Sequence, residues 1–277
     1  MNKFPQNLKD YFLSQEEFYL VENSSFGYLE THPIPENLSK YYESEKYISH
    51  TDSAKNWLEK IYQLVKNYNI AYKFSKLEGA KPGMKILDYG CGAGDFLAFA
   101  QKKNLDAFGV EPNPVALQIT HAKIGKDRAV DQPIESLSGE FDFITLWHVL
   151  EHIADLENFI LNLKTKLKPE GKIYIAVPNY HSYDAQFYKE YWAAYDVPRH
   201  LWHFSPESLN KLFSAFGMKI EKTFPLWFDS YYVSLLSEKY KKNPFGLLRA
   251  VWIGSLSNLK AMNTGNYSSI IYQISKN

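Results

Sequence analysis

The stretch KILDYGCGAGDFL, Lys85 to Leu97, runs a short apolar strand straight into a glycine-rich turn and on into a helix. That order builds a nucleotide-type pocket at the carboxyl end of a parallel strand. Gly90, Gly92 and Gly94 reach backbone angles that other residues resist, and they let the main chain come close to a ligand. Cys91, between two of them, reads as a small residue that fits the turn. A dinucleotide fingerprint would carry its third glycine three places after the second, where this chain has Asp95. It would also bring a diphosphate against Asp88, whose carboxylate repels an anion. A ligand with a cationic centre and a free amino group suits the turn better.

The other half of the pocket lies one unit downstream. Ala107 to Glu111 reads as a second strand, ending in an acid 21 positions after Gly90. At that spacing a carboxylate reaches the two hydroxyls of a ribose. Pro112 and Asn113 then turn the chain into a helix from Pro114. A ribose-bearing sulfonium with an amino group, S-adenosylmethionine (SAM), meets both halves.

Through these motifs the chain resembles the class I SAM-dependent methyltransferases. LDYGCGAG is similar to their first motif and GVEP to their ribose-binding acid. FDFITLWHVLEH, Phe141 to His152, resembles their fourth strand and the segment after it, and LKPEGKIYIAVPN, Leu167 to Asn179, their fifth. The likeness is closest to a bacterial subgroup similar to the ubiquinone-pathway O-methyltransferases, in which VPN is followed by a W…D-PRHLWHF segment, here Trp192 to Phe204. It covers residues 75 to 225 well. The resemblance implies SAM as cofactor, a Rossmann-like seven-stranded mostly parallel sheet, and an adenine contact from Asp131 and Gln132 with Leu146 and Trp147 over the ring. In that subgroup the N-terminal region often carries a zinc ribbon. Asn23 and Phe26 stand where one of its cysteine pairs would, so the arm reads as a degenerate ribbon.

Composition narrows the partners. Lys plus Arg and Asp plus Glu are 31 each, so no overall field draws nucleic acid or an anionic membrane. The single cysteine excludes an internal disulfide and fits a reducing cytoplasm. MNKFPQNLKDYF lacks the apolar core of a signal peptide, and no run approaches a membrane span. Aromatic residues form 16% of the chain, enough for a pocket or interface built from rings as well as a core.

Residues 1–52 read as an irregular arm or lid. Trp57, Ile61, Leu64 and Val65 recur at helical spacing from Ser53 to about Leu77. Strands at 84–89, 107–111, 128–130, 141–147 and 172–177 then alternate with helices at 95–103, 114–123 and 155–167, the pattern of a parallel sheet covered on both faces. A helix capped by Ser205 and ended by Gly217 precedes strand 219–224. Residues 53–224 make the SAM-binding core, 225–265 an insert of two amphipathic helices, and 266–277 the last strand. The insert reads first as a packing subdomain, then as substrate wall or homodimer interface.

Methyl transfer from a sulfonium needs alignment and often a proton acceptor. His148, after the fourth strand, is a plausible base. Related enzymes carry Glu there, and with the Glu and His matching Glu151 and His152 some hold a divalent ion. Imidazole at 148 weakens the case for magnesium, and no metal ligand is assigned. Asp196, Arg199, His200 and His203 form the second polar cluster, with His as proton acceptor and Arg as clamp on an anionic group, or with Asp196 and Arg199 paired as a loop anchor. The expectation is a cytoplasmic methyltransferase acting on an oxygen or carbon nucleophile of a small molecule. Two alternatives remain: a catalytically silent SAM-binding module, and a nicotinamide oxidoreductase.

Overall fold

The computed structural model describes residues 4–42 and 57–277, with side chains of the first long helix described from residue 63. In chain order the elements are β1 (Asn7–Lys9), β2 (Glu17–Glu22), β3 (Leu29–His32), α1 (Trp57–Ser75), β4 (Lys85–Tyr89), α2 (Asp95–Lys102), β5 (Asp106–Val110), α3 (Pro114–Ile124) and β6 (Ala129–Val130). They continue with β7 (Phe141–Trp147), α4 (Leu156–Lys166), β8 (Leu167–Pro178), α5 (Tyr183–Tyr188), β9 (Trp202–His203) and α6 (Pro206–Ala215). The last are β10 (Met218–Pro225), α7 (Asp229–Tyr240), α8 (Gly246–Thr264) and β11 (Ser269–Lys276).

Seven strands form the main sheet in the order β10-β11-β8-β7-β4-β5-β6. β4 to β8 run parallel, while β11 is antiparallel to both its neighbours. The order reverses between β4 and β7, and ligands of such sheets bind outside the carboxyl ends at that switch point. Ile173 to Val177 form a continuous buried run, as a central strand covered on both faces requires. Because successive residues face opposite ways, Leu87, Ile144 and Leu146 pack into one core while Ile86, Phe143 and Trp147 face the other. The seven-stranded mostly parallel sheet stands as the sequence implies, and α7 and α8 lie between its strands β10 and β11 in the chain.

The N-terminal arm differs. It is ordered as β1-β2-β3-β9, a four-stranded antiparallel sheet whose last strand comes from the Trp192–Phe204 segment. Phe18 and Leu20 turn inward while Tyr19 and Val21 point out. β2 pairs with its sequence neighbours β1 and β3, whereas the partner of the outer edge of β3 is β9, far along the chain, which no local pattern reveals. Asn23 closes the β2–β3 turn: its side-chain oxygen accepts from Ser25 N and Phe26 N (3.0 and 2.9 Å), and its amide donates to Glu30 Oε1 (2.8 Å). Of the expected apolar face of α1, Leu64 is exposed and Val65 half-buried, while the side chains of Trp57 and Ile61 lie outside the described residues.

A third core joins the arm to the insert. Leu8, Phe18 and Leu20 pack with Tyr188, Trp192, Tyr195 and Val197 and with Val233 and Ile253. Asp184 ties it together, its carboxylate accepting from Trp192 Nε1 (2.7 Å), Ser257 Oγ (2.6 Å) and Ser268 Oγ (2.6 Å). Each of these groups is fully buried, so each needs the others.

Candidate functional site

The turn after β4 is pulled back over β5, because Gly90 N and Cys91 N both donate to Val110 O (2.8 and 3.0 Å). Gly90 sits at φ +73°, and a Cβ there would lie 2.5 Å from Val149 Cγ2. A Cβ on Gly94 would come within 2.8 Å of Thr120. Gly92 faces open space, so its neighbourhood is the cradle left for a ligand.

Glu111 ends β5 buried beneath that cradle. Its Oε2 accepts from Gly92 N (2.7 Å) and its Oε1 from Asn113 N (2.9 Å). Burial raises its pKa more than those two donors lower it, so further donors, such as ribose hydroxyls, would stabilise the charge. Asn113 is occupied in capping α3, accepting from Val115 N and Ala116 N. Asp88 is fully buried, accepts from Thr145 Oγ1 (2.6 Å), and is pushed up by burial to about 7. Trp147 lies edge-on to Phe96 (5.1 Å between ring centres), with Lys73 Nζ 4.7 Å from its centroid. Its indole N–H finds no acceptor among the described residues. An open glycine face, a carboxylate short of donors, a buried acid suited to a cation and an orphaned indole N–H fit an adenosyl ligand with an amino group.

Pro112, Asp131 and Gln132 are exposed. Cys91 is buried and its thiol is pushed up by burial, leaving it inert. Leu146 is a correction: it is wholly buried in the core on the opposite face from Trp147, because neighbours on a strand point apart. It cannot cover an adenine.

His148, directly after β7, holds a left-handed backbone (φ +59°). Its Nε2 lies 3.0 Å from Asp229 Oδ2, at the start of α7, and its Nδ1 3.4 Å from Glu151 Oε1. Burial pushes the imidazole down, but the two carboxylates outweigh it and raise its pKa to about 9. Sequence spacing gave no sign of Asp229, which lies in the insert, or of Lys73 on α1. Burial lowers the Lys73 pKa against the opposing charges of Asp229 and Asp88.

The 196–203 segment does other work. Arg199 is 1% exposed. Its Nε and Nη2 donate to Asp196 (3.0 and 2.6 Å), Nη2 also reaches Asp10 (3.1 Å), and Nη1 meets Tyr41 O (3.4 Å). All three donor nitrogens are taken by Asp196 in the same segment and by Asp10 and Tyr41 O of the arm, so the expected clamp on a substrate anion is an anchor that holds the arm. His203 is buried. Thr31 Oγ1 spends its proton on His200 O (2.7 Å), so His203 Nε2 must donate to Thr31 (2.9 Å). Burial holds His203 neutral, enclosed within the arm sheet.

His200 Nδ1 lies 2.9 Å from Ala194 O, and His152 Nδ1 2.9 Å from Arg199 O. The Ala194 carbonyl holds a proton on His200 Nδ1 and leaves its Nε2 free to ligate, while His152 Nδ1 also meets the Tyr42 hydroxyl at 3.0 Å. One nitrogen of each ring and an oxygen of Glu151 lie within 4.8 Å of one another. Both Glu151 oxygens lack a hydrogen-bond donor among the described residues. This trio could hold a divalent ion, with His200 taking the place that His148, turned to Asp229, does not fill.

Fold and crevice define a class I, SAM-type α/β domain. The methyltransferase domain family matches residues 63–223, and the chain belongs to it. It is 27% identical over 103 residues to a mitochondrial ubiquinone biosynthesis O-methyltransferase of Schizosaccharomyces pombe, covering 34% of this chain and 38% of that protein. Against the mitochondrial ubiquinone biosynthesis O-methyltransferase of Homo sapiens it is 26% identical over 166 residues, covering 54% and 45%. The chain thus spans less than half the length of the curated relatives it matches. Magnesium protoporphyrin IX methyltransferase from Synechocystis PCC 6803 with bound S-adenosylhomocysteine shares the fold (TM-score 0.56, 15% identity, 86% of this chain and 97% of that one). So does phosphoethanolamine N-methyltransferase 2 of Haemonchus contortus (TM-score 0.55, 16% identity, 90% and 62%).

Proposed function

We propose that the protein transfers the methyl group of SAM to an oxygen, or a carbon, nucleophile of a small molecule. The observation that carries this is the juxtaposition, across the switch point, of the Gly92–Glu111 cradle with His148 at the end of β7. Bound there, the cofactor supplies an electrophilic methyl on a sulfonium. Glu111 would hold the sugar, and Asp88 and Trp147 would serve the amino group and the ring. His148 takes the acceptor's proton as the nucleophile attacks, and Asp229 fixes the ring and stabilises its charge.

Because His148 is already protonated at neutral pH, the competent form grows as pH rises toward about 9. Turnover should climb through that range, whereas a flat profile would leave His148 a brace. The likeness to ubiquinone-pathway enzymes puts hydroxylated rings first among acceptors. A methyl-release assay over such a panel tests this; SAM binding without turnover on any member would favour the silent module. The lone buried cysteine supports a cytoplasmic setting.

A further inference from the structure

The outward face of α8 is apolar where a soluble helix is normally polar. Leu248, Val251, Trp252, Leu259 and Met262 fall on one side of its helical wheel and are 74, 51, 64, 59 and 66% exposed. Phe245, just before the helix, is 73% exposed. The opposite side, through Ala250, Ile253, Gly254, Ser257 and Ala261, is buried against the protein. The helix is therefore already seated, and its free side offers large apolar groups to whatever lies outside. Scattered exposed leucines are ordinary, but an ordered stripe of this size marks an interaction surface.

Charge decides what it meets. Between positions 239 and 264 the chain has five cations, at 239, 241, 242, 249 and 260, and no acid, inside a protein whose total charge is zero. Arg249 is answered by the buried Glu238 (3.3 Å). Lys241 and Lys260 lean over Tyr191 and Tyr183 (4.8 and 3.6 Å). Lys239 and Lys242 are exposed at the α7–α8 corner. A second copy docking here would bring two cationic rims together. An apolar stripe edged by lysines instead matches an interfacial helix lying in the plane of an anionic bilayer, its rings and leucines among the acyl chains and its lysines at the headgroups.

We propose that the outer face of α8 docks the protein on an anionic phospholipid surface, without any span of the bilayer; among the described residues no helix is long and apolar enough to cross one. The neutral total hides this patch, which is why composition alone argued against it. Docking is independent of the SAM site, so a failure of one leaves the other standing.

The test is flotation of the full chain with vesicles of phosphatidylcholine alone and of phosphatidylcholine with roughly one-third phosphatidylglycerol, at low and high salt. The protein should float with the anionic vesicles, more at low salt. Leu248→Glu/Trp252→Glu should lower the bound fraction by about tenfold or more, and Lys239→Glu/Lys242→Glu by several-fold, since each removes a separate part of the attraction. Both variants alter exposed side chains, and circular dichroism and SAM affinity should match the parent. No flotation, or flotation equal in both variants and the parent, would overturn the proposal. So would a dimer in sedimentation that Leu248→Glu/Trp252→Glu converts to monomer, which would assign the face to a second copy.

Discussion

The two sides of the crevice are built in opposite ways. The cofactor side is mostly local: Gly90 to Gly94, Glu111 and Asn113 follow one another through one strand–turn–helix–strand unit, and the bonds from Gly90 N and Cys91 N to Val110 O and from Gly92 N and Asn113 N to Glu111 lie within that stretch. The acceptor side is assembled from afar. His148 meets Asp229 from the insert, and the arm beside it is tied down in the same way, Arg199 meeting Asp10 across 189 positions. A local signal can be read from sequence spacing, but a side chain whose partner is chosen by tertiary packing cannot.

The sharpest way to break this contrast is at the arm. Arg199→Met should cost roughly 3–5 kcal/mol of stability, because it leaves the buried Asp10 and the partly exposed Asp196 without their cation. SAM affinity of the molecules that still fold should be little changed. Urea unfolding followed by titration checks both, and a lost SAM affinity at full stability would return Arg199 to the ligand side.

Glu111→Ala should weaken SAM binding by about 1–3 kcal/mol, the cost of leaving ribose donors unanswered. Unchanged affinity in an equilibrium titration would remove Glu111 from the pocket.

Asp229→Asn addresses the acceptor side. The folded His148 pKa of about 9 exceeds its ordinary 6.5, so the pairing stabilises fully below about pH 6.5 and is lost as pH rises through about 9. Without Asp229 that stability advantage should shrink, and the rise of turnover with pH should move toward neutrality. Thermal melts at pH 6 and 10 and a pH–rate profile read the two effects. An unmoved profile would separate Asp229 from the chemistry.

Asn23→Ala should have the smallest effect, about 1 kcal/mol, by freeing the β2–β3 turn, with turnover per folded molecule retained. A loss of turnover without a loss of stability would make the arm part of the acceptor pocket.

Within this contrast, legibility tracks chain distance. The glycine turn, Glu111 and the alternation behind the parallel sheet all appear as short-range patterns. Leu146 was misplaced because ring covering was assigned to adjacent residues of a strand, whose side chains face opposite layers. The 196–203 cluster was dense with titratable groups, and its loop-anchor alternative is the one the burial of Arg199 and His203 favours. Asp229 had no spacing to advertise it, being the first residue of a helix in an insert. Among residues 4–42, β1 to β3 are short strands, and the outer partner of β3 is β9 at Trp202–His203, so the closed sheet leaves little trace in the local sequence.

At the centre of the account, the glycine cradle takes an adenosyl sulfonium rather than a nicotinamide dinucleotide. Calorimetric titration of the purified full chain with SAM and, separately, with NADH tests it most directly. A saturable single-site heat with SAM and none with NADH is the predicted result; binding of NADH with no response to SAM would contradict it.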